Sequence, residues 1–303
     1  MLMGVEMWRI KRNATRRKGH FLWAWLVLAL CASSSGQAQD LTQFFGATPG
    51  VAPTPGVAPT PGAFVLYDQQ TKRYIRHNET RCRERFTPFS TFKIPNSIIG
   101  LETKVIANAE TLMRWEPKRF PQSVNWTQPP FVNWKHDHTL RSAIKDSVVW
   151  YYRELARRVG EERMRRMVAR LGYGNQDVSG VWDSPNLFEA FWLNGSLRIS
   201  ADEQVEFLRK FYAGDLPVAG RTTEIVKEIL TLEKTADYTL SGKTGGGMLA
   251  ENRALGWFVG YVEAKGNVCF FALNLEGQNF AAVRERRIEL TRQILTALGY
   301  LPR

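Results

Sequence analysis

Near the C-terminus two apolar runs, "GWFVGYVE" (256–263) and "NVCFFALNL" (267–275), are joined by "AKG". Long runs rich in aromatic and β-branched residues around a short glycine turn predict a β-hairpin. A second strand pair, "AFVLYD" (63–68) and "RYIRHN" (73–78), lies around "QQTK" near the other end. The segments between these pairs carry helical signals. In "WYYRELARRVGEERMRRMVARLG" (150–172), Leu155, Val159, Met164, Met167 and Leu171 recur at helical spacing, which predicts one long helix. "SADEQVEFLRKFYAG" (200–214) opens with Ser200 and Glu203 at capping-box spacing and closes on Gly214. "RRIELTRQILTALG" (286–299) reads as a closing amphipathic helix. Strands at both ends and helices between them predict an α/β fold. One antiparallel sheet is built from the two termini and flanked by helices, with a central, mainly helical subdomain.

The N-terminus is not part of that pattern. Six Lys and Arg residues precede the 12-residue apolar run "FLWAWLVLALCA" (21–32), and small residues follow it. This is the layout of a secretory signal, too short to span a bilayer comfortably. Cleavage after Ala38 is expected. Residues 39–62 include the hexamer Val-Ala-Pro-Thr-Pro-Gly twice. Proline fixes φ and removes donors, so this stretch is expected to be an extended tether. The catalytic domain is expected over 63–303. Residues 110–140, rich in Trp and Pro without a clear period, read as an irregular surface insertion.

Net charge is +12, of which residues 1–39 supply +5. The remaining basic residues are scattered among acidic ones, with no basic stripe interleaved with aromatics, so no nucleic-acid partner is expected. Once Cys31 leaves with the signal, Cys82 and Cys269 remain. Pairing and free burial are both open, although Cys269 lies in an apolar strand. His136 and His138 flank Asp137 as a polar loop rather than a metal site, and no metal is expected.

Four short features carry chemistry. In "FTPFSTFKIPNS" (86–97), Ser90 and Lys93 lie one helical turn apart, bracketed by Phe86, Phe89, Phe92 and Ile94. Residues i and i+3 share a helix face, so Oγ and Nζ can meet. A free lysine is too strong a base to be neutral at pH 7, and apolar burial removes its charge. A second Ser-x-x-Lys, Ser142–Lys145, has polar surroundings. The other features are Ser147-Val148-Val149, then Tyr173-Gly174-Asn175, then "SGKTGGG" (241–247) with Lys243 and Thr244. The last is no phosphate loop, because its glycines follow the lysine and a strand follows them. Glycines on an edge strand let a ligand approach the backbone.

Ser-x-x-Lys, a second serine and Lys-Thr-Gly, in this order, form the active-serine penicillin-recognising set. With "HTLRSAIKDSVVWYYRELARRVGEERM", "YGNQDVSG" and "FWLNGSLRISADEQVEFL", the chain from about Ala63 closely resembles the class D β-lactamases, the oxacillinase family. Residues 115–134 look longer than that family's usual insertion. The resemblance implies hydrolysis of β-lactams through an acylated Ser90, with Lys93 carboxylated by CO2 or bicarbonate as general base and no other cofactor. It implies that Trp192 holds the carbamate, that Val149 packs against it, and that Ser147 relays a proton. Lys243 and Thr244 would orient the substrate carboxylate, the strand after Gly245 would pair with the acyl side chain, Gly246 would complete the oxyanion hole with Ser90, and Arg287 would fork onto the substrate carboxylate, with Arg284 as competitor in register. Tyr173 would border the substrate site and make the enzyme sensitive to chloride. The alternatives are a penicillin-binding transpeptidase and a non-hydrolysing β-lactam sensor. Val149, where transpeptidases carry an amide, favours the hydrolase. The expected setting is the periplasm of a Gram-negative bacterium, without stable membrane insertion, as a monomer or homodimer.

Overall fold

The computed structural model describes residues 40–46, 60–120, 127, 131–249 and 253–303. The expected signal (1–38) and most of the proline repeat lie outside them. The strands are β1 (Gly62–Asp68), β2 (Arg73–His77), β3 (Leu112–Met113), β4 (His138–Thr139), β5 (Thr231–Lys234), β6 (Tyr238–Met248), β7 (Ala254–Ala264) and β8 (Asn267–Gly277). The helices are α1 (Glu79–Arg83), α2 (Lys93–Glu102), α3 (Leu140–Lys145), α4 (Val149–Val159), α5 (Glu161–Leu171), α6 (Ala201–Ala213), α7 (Gly220–Leu230), α8 (Phe280–Arg284) and α9 (Arg286–Ala297). The six-stranded sheet runs β2-β1-β8-β7-β6-β5, so the N-terminal pair is annealed to the C-terminal hairpin as expected. All its pairs are antiparallel.

β1, β7 and β8 read as nearly continuous apolar runs because both faces of the sheet are covered there. On one face Val65, Trp257, Val259, Tyr261 and Ala272 join the core that contains Phe92, Ile98 and Leu155 of the helical region. On the other, Phe64, Leu66, Phe258, Phe271 and Leu273 pack with Leu290, Ile294 and Leu295 of α9. Leu41 and Phe45 also belong to this second core, and Phe45 is fully buried and stacked on His77 at 3.9 Å. These two residues fall within the expected tether, so the packed region begins before Ala63. The physical reason is that Asp40–Gly46 precedes the prolines and carries the aromatic and aliphatic side chains that the sheet needs on that face.

Two further expectations need correction. The helix expected over 150–172 is two helices, broken at Gly160, where φ is +81° and the chain leaves the helical region. The 110–140 stretch is not purely superficial, since Met113, Phe120 and Trp134 are buried in the core. The capping box at α6 forms as expected. Ser200 Oγ accepts from the Glu203 N–H at 3.2 Å and the Glu203 carboxylate accepts from the Ser200 N–H at 2.9 Å. Cys82 and Cys269 are both buried free thiols, which resolves the open pairing.

Candidate active site

Ser90 sits in a 3-10 turn, Phe89–Phe92, that runs directly into α2, whose first residue is Lys93. The turn brings the two side chains together, with Lys93 Nζ 2.6 Å from Ser90 Oγ. Lys93 has no exposed surface, and Phe92 stacks on Trp192 at 5.5 Å beside it. Burial first, and the positive charge of Lys243 second, hold the amine well below its ordinary range. The Ser90 hydroxyl is thus in contact with an amine poised to be neutral. Trp192 Nε1 is buried and, among the described residues, has no hydrogen-bond partner. A buried indole N–H without an acceptor is costly, and a polar group brought beside it would relieve that cost.

A second Ser–Lys pair stands opposite. Ser147 has φ +56°, an unusual conformation for serine, in the turn before α4. Lys243 on β6 donates to Ser147 Oγ at 3.1 Å and to the Thr244 carbonyl at 3.0 Å. Burial, then the nearby Arg287 guanidinium, lowers the Lys243 amine to about 7. Arg287, on α9 and 7% exposed, donates to the Gly245 carbonyl at 2.5 Å. Arg284 also faces the cleft but pairs with Glu285 at 3.2 Å, so Arg287 is the arginine bound to the strand.

β6 explains its own glycines. Its pairing with β5 ends at Ser241, so the stretch from Gly242 to Met248 has an unpaired outer edge. A Cβ on Gly245 would come 2.9 Å from the Pro88 carbonyl and 3.0 Å from the Thr91 backbone N. One on Gly246 would lie 2.7 Å from the Arg287 guanidinium, and one on Gly247 would press on the Phe89 ring. The strand therefore passes against the serine turn with no room for a side chain. Gly245→Ala is expected to push the turn and lower turnover about 100-fold, the typical cost of an ångström-scale displacement of a reacting group. Steady-state rates on a penicillin, with circular dichroism to verify folding, check this.

These groups line one cleft of about 600 Å³, within the range of small-molecule sites. Ser90, Ser147, Val149, Lys243, Thr244, Gly245, Gly246 and Arg287 all face it. Lys93 and Trp192 lie behind Ser90. Tyr173 does not border the cleft, contrary to expectation. It is fully buried, edge-on to Phe92 at 5.7 Å and to Phe207 at 5.0 Å, with its hydroxyl 3.5 Å from Thr91 Oγ1. Its aromatic bulk is taken up by the core beneath the serine turn. Ser142 is a helix-capping residue of α3 rather than a partner of Lys145. Glu189 accepts hydrogen bonds from Ser184 and Asn186 at 2.5 and 3.2 Å within its own loop. Among the described residues no cluster could hold a metal ion.

Comparison with known proteins agrees with the geometry. Residues 62–296 match the family model described as the penicillin binding protein transpeptidase domain. The chain is 40% identical over 212 residues to the β-lactamase OXA-48 of Klebsiella pneumoniae, covering 70% of this chain and 74% of that one. A solved class D β-lactamase from Nostoc superposes with a TM-score of 0.71 at 38% identity, covering 80% of this chain and 95% of the other. The chain belongs to the class D β-lactamases. It is a serine enzyme of that family. It also resembles the regulatory protein BlaR1 of Bacillus licheniformis, 35% identical over 239 residues, but that match covers only 37% of BlaR1. Class D β-lactamases share this chain's fold, an antiparallel sheet with flanking helices.

Sequence reasoning missed several residues of the cleft wall: Phe131, Trp134, Phe188, Leu193 and Phe280. Aromatic residues in a proline-rich, aperiodic stretch were the available signal for the first two, since binding residues concentrate on loops. Phe188 carries no such signal.

Proposed function

We propose that this chain hydrolyses the β-lactam amide of penicillin-type antibiotics through a Ser90 acyl-enzyme, with Lys93 carboxylated, and thereby confers resistance to them. The observation that carries the reading is the pairing of a fully buried Lys93, 2.6 Å from Ser90, with a Trp192 Nε1 that has no hydrogen-bond partner among the described residues. Only a neutral amine can capture CO2, and burial disfavours the ammonium. Trp192 Nε1 would donate to the added carboxylate, and Val149, 4% exposed, would help keep the site dry. So modified, Lys93 supplies an anionic general base next to the nucleophile for acylation and deacylation.

The other residues divide the remaining work. Lys243, Thr244 and Arg287 form the cationic, hydrogen-bonding end of the cleft and would receive the substrate carboxylate. The unpaired edge of β6 offers backbone groups to the acylamino chain. Ser90 Oγ bonds to the lactam carbonyl carbon while the backbone N–H groups of Ser90 and Gly246 hold the oxyanion. As the carbon–nitrogen bond breaks, the ring nitrogen takes a proton through Ser147, which hydrogen-bonds to Lys243. Water then cleaves the Ser90 ester and releases the ring-opened acid. The basic and apolar N-terminus supports export to a periplasm, and among the described residues no helix is long and apolar enough to cross a membrane.

The carboxylation is tested on the resting protein by ¹³C NMR in ¹³C-bicarbonate. One protein-bound carbamate resonance is expected, absent in Lys93→Ala and weakened in Trp192→Phe. A spectrum without it at saturating bicarbonate contradicts the reading.

A further inference from the structure

The positive charge of the chain is gathered on one side of the folded protein. Residues 40–303 hold +7 of the net +12, and two segments supply +6 of that. Arg114–Phe120 carries three cations and one glutamate, while Val149–Leu171, which spans α4 and α5, carries seven arginines and three glutamates.

The fold joins these segments into one patch. Glu154 forms ion pairs with Arg119 at 3.1 Å, Arg157 at 2.8 Å and Arg158 at 2.6 Å. Arg163 of α5 reaches back over the end of α4, donating to the carbonyls of Arg158 at 2.7 Å and Val159 at 2.5 Å. Arg165 and Arg166 share Glu162. These two carboxylates order the arginines without neutralising them, since one faces three guanidiniums and the other two. Glu116 and Asp183 also act on Arg157, which leaves the sign of the patch unchanged. α5 buries Met164, Val168 and Leu171 and leaves Arg163, Arg165, Arg166 and Arg170 exposed.

The chemistry of the patch points to its partner. Protein interfaces centre on aromatic or aliphatic anchors. Among the described residues, none of the large exposed apolar side chains lies in 114–120 or 149–171. A cationic layer without anchors suits a broad anionic surface, such as a sheet of lipid phosphates. Arg157 and Arg158 are in the last turn of α4, about 12 Å along the helix from Val149, which lines the cleft. The arginines thus lie at the end of α4 away from the cleft.

We propose that α4, α5 and residues 114–120 form a docking face for an anionic lipid bilayer, held by electrostatic contact with lipid phosphates and without insertion. The proposal goes beyond the β-lactam reading and does not depend on it, because docking needs neither Ser90 nor Lys93.

The test uses the 40–303 chain, which holds both cores and every described residue. It lacks the basic and apolar leader, which would bind lipid by itself. Its partition onto phosphatidylglycerol vesicles is measured by sedimentation, against vesicles of phosphatidylcholine alone. Binding is expected to the anionic vesicles only, and is expected to be lost between about 50 and about 500 mM NaCl as the charges are screened. The triple variant Arg158→Gln, Arg166→Gln, Arg170→Gln should weaken the partition at least about tenfold, since each cation near an anionic surface contributes about fivefold. A second triple variant removes three exposed cations elsewhere, Lys72→Gln, Arg221→Gln and Lys265→Gln, and should bind as the parent does. Circular dichroism verifies that both variants fold. Absence of binding at low salt, binding that salt does not reverse, equal binding to the two kinds of vesicle, or an equal loss in the two triple variants overturns the proposal. Binding to duplex DNA but not to the vesicles overturns the lipid assignment as well.

Discussion

Lys93→Ala, mixed with a penicillin, is expected to lose at least about a thousandfold in kcat, within the usual range for removing a general base, and to accumulate a penicilloyl adduct on Ser90. Lys93 is completely buried and touches the nucleophile, so no solvent lysine can replace it. Alanine leaves the Trp192 N–H without a partner and Ser90 without a base. The oxyanion donors and the cationic end of the cleft remain, so slow acylation continues while deacylation stalls. Intact-mass spectrometry after manual mixing checks this. Rapid return to unmodified mass, or wild-type turnover, contradicts it. The fold itself should survive, because the substitution removes an amine that burial already disfavours in its charged form.

Acidity should act on the two lysines in opposite ways. Lys93 must be neutral to carry CO2. Protonation at low pH expels the modification, so kcat is expected to fall on the acid side and to recover when bicarbonate is raised. Lys243 has a lowered value of about 7, and it serves the substrate carboxylate when charged. Below that value it is an ammonium, and above it the charge is progressively lost. KM for penicillins is therefore expected to rise with pH above about 7, approaching tenfold per pH unit. Lys243→Arg, permanently charged, should flatten the alkaline rise in KM. Initial rates from pH 5 to 9, at fixed ionic strength and two bicarbonate concentrations, separate the acid limb in kcat from the alkaline limb in KM. A KM independent of pH over that range contradicts the role given to Lys243.

Much of this site was legible in the sequence because its spacings are local. Ser90 and Lys93 meet through a single turn, and Ser200 with Glu203 form a capping box that any helix start could form. The glycines of 245–247 read in the sequence as a place where a ligand comes close, whereas the atoms that approach them in the structure are the protein's own. The Pro88 carbonyl, Arg287 and Phe89 come from distant segments that only the folded sheet brings there. The same holds for Trp192, whose unpartnered N–H is a property of its surroundings and not of its neighbours in sequence. Tyr173 was misplaced for a related reason. A Tyr-Gly-Asn turn gives no sign of which way the ring points, and the ring went to the core. The helical spacing over 150–172 resumes after Gly160 and so hides the break there, where a positive φ ends α4. Leu41 and Phe45 were hidden by the prolines that follow them. Phe188 stands alone in an irregular loop, so only the folded structure reveals that it faces Trp134.

The most direct test of the whole account is turnover of a chromogenic cephalosporin by the purified 40–303 fragment, measured in CO2-depleted buffer and again after adding bicarbonate. Many turnovers per molecule, slow without bicarbonate and restored by it, are the predicted result. A single stoichiometric burst that bicarbonate does not change would mean that Ser90 acylates without a working base on Lys93, and would contradict the account.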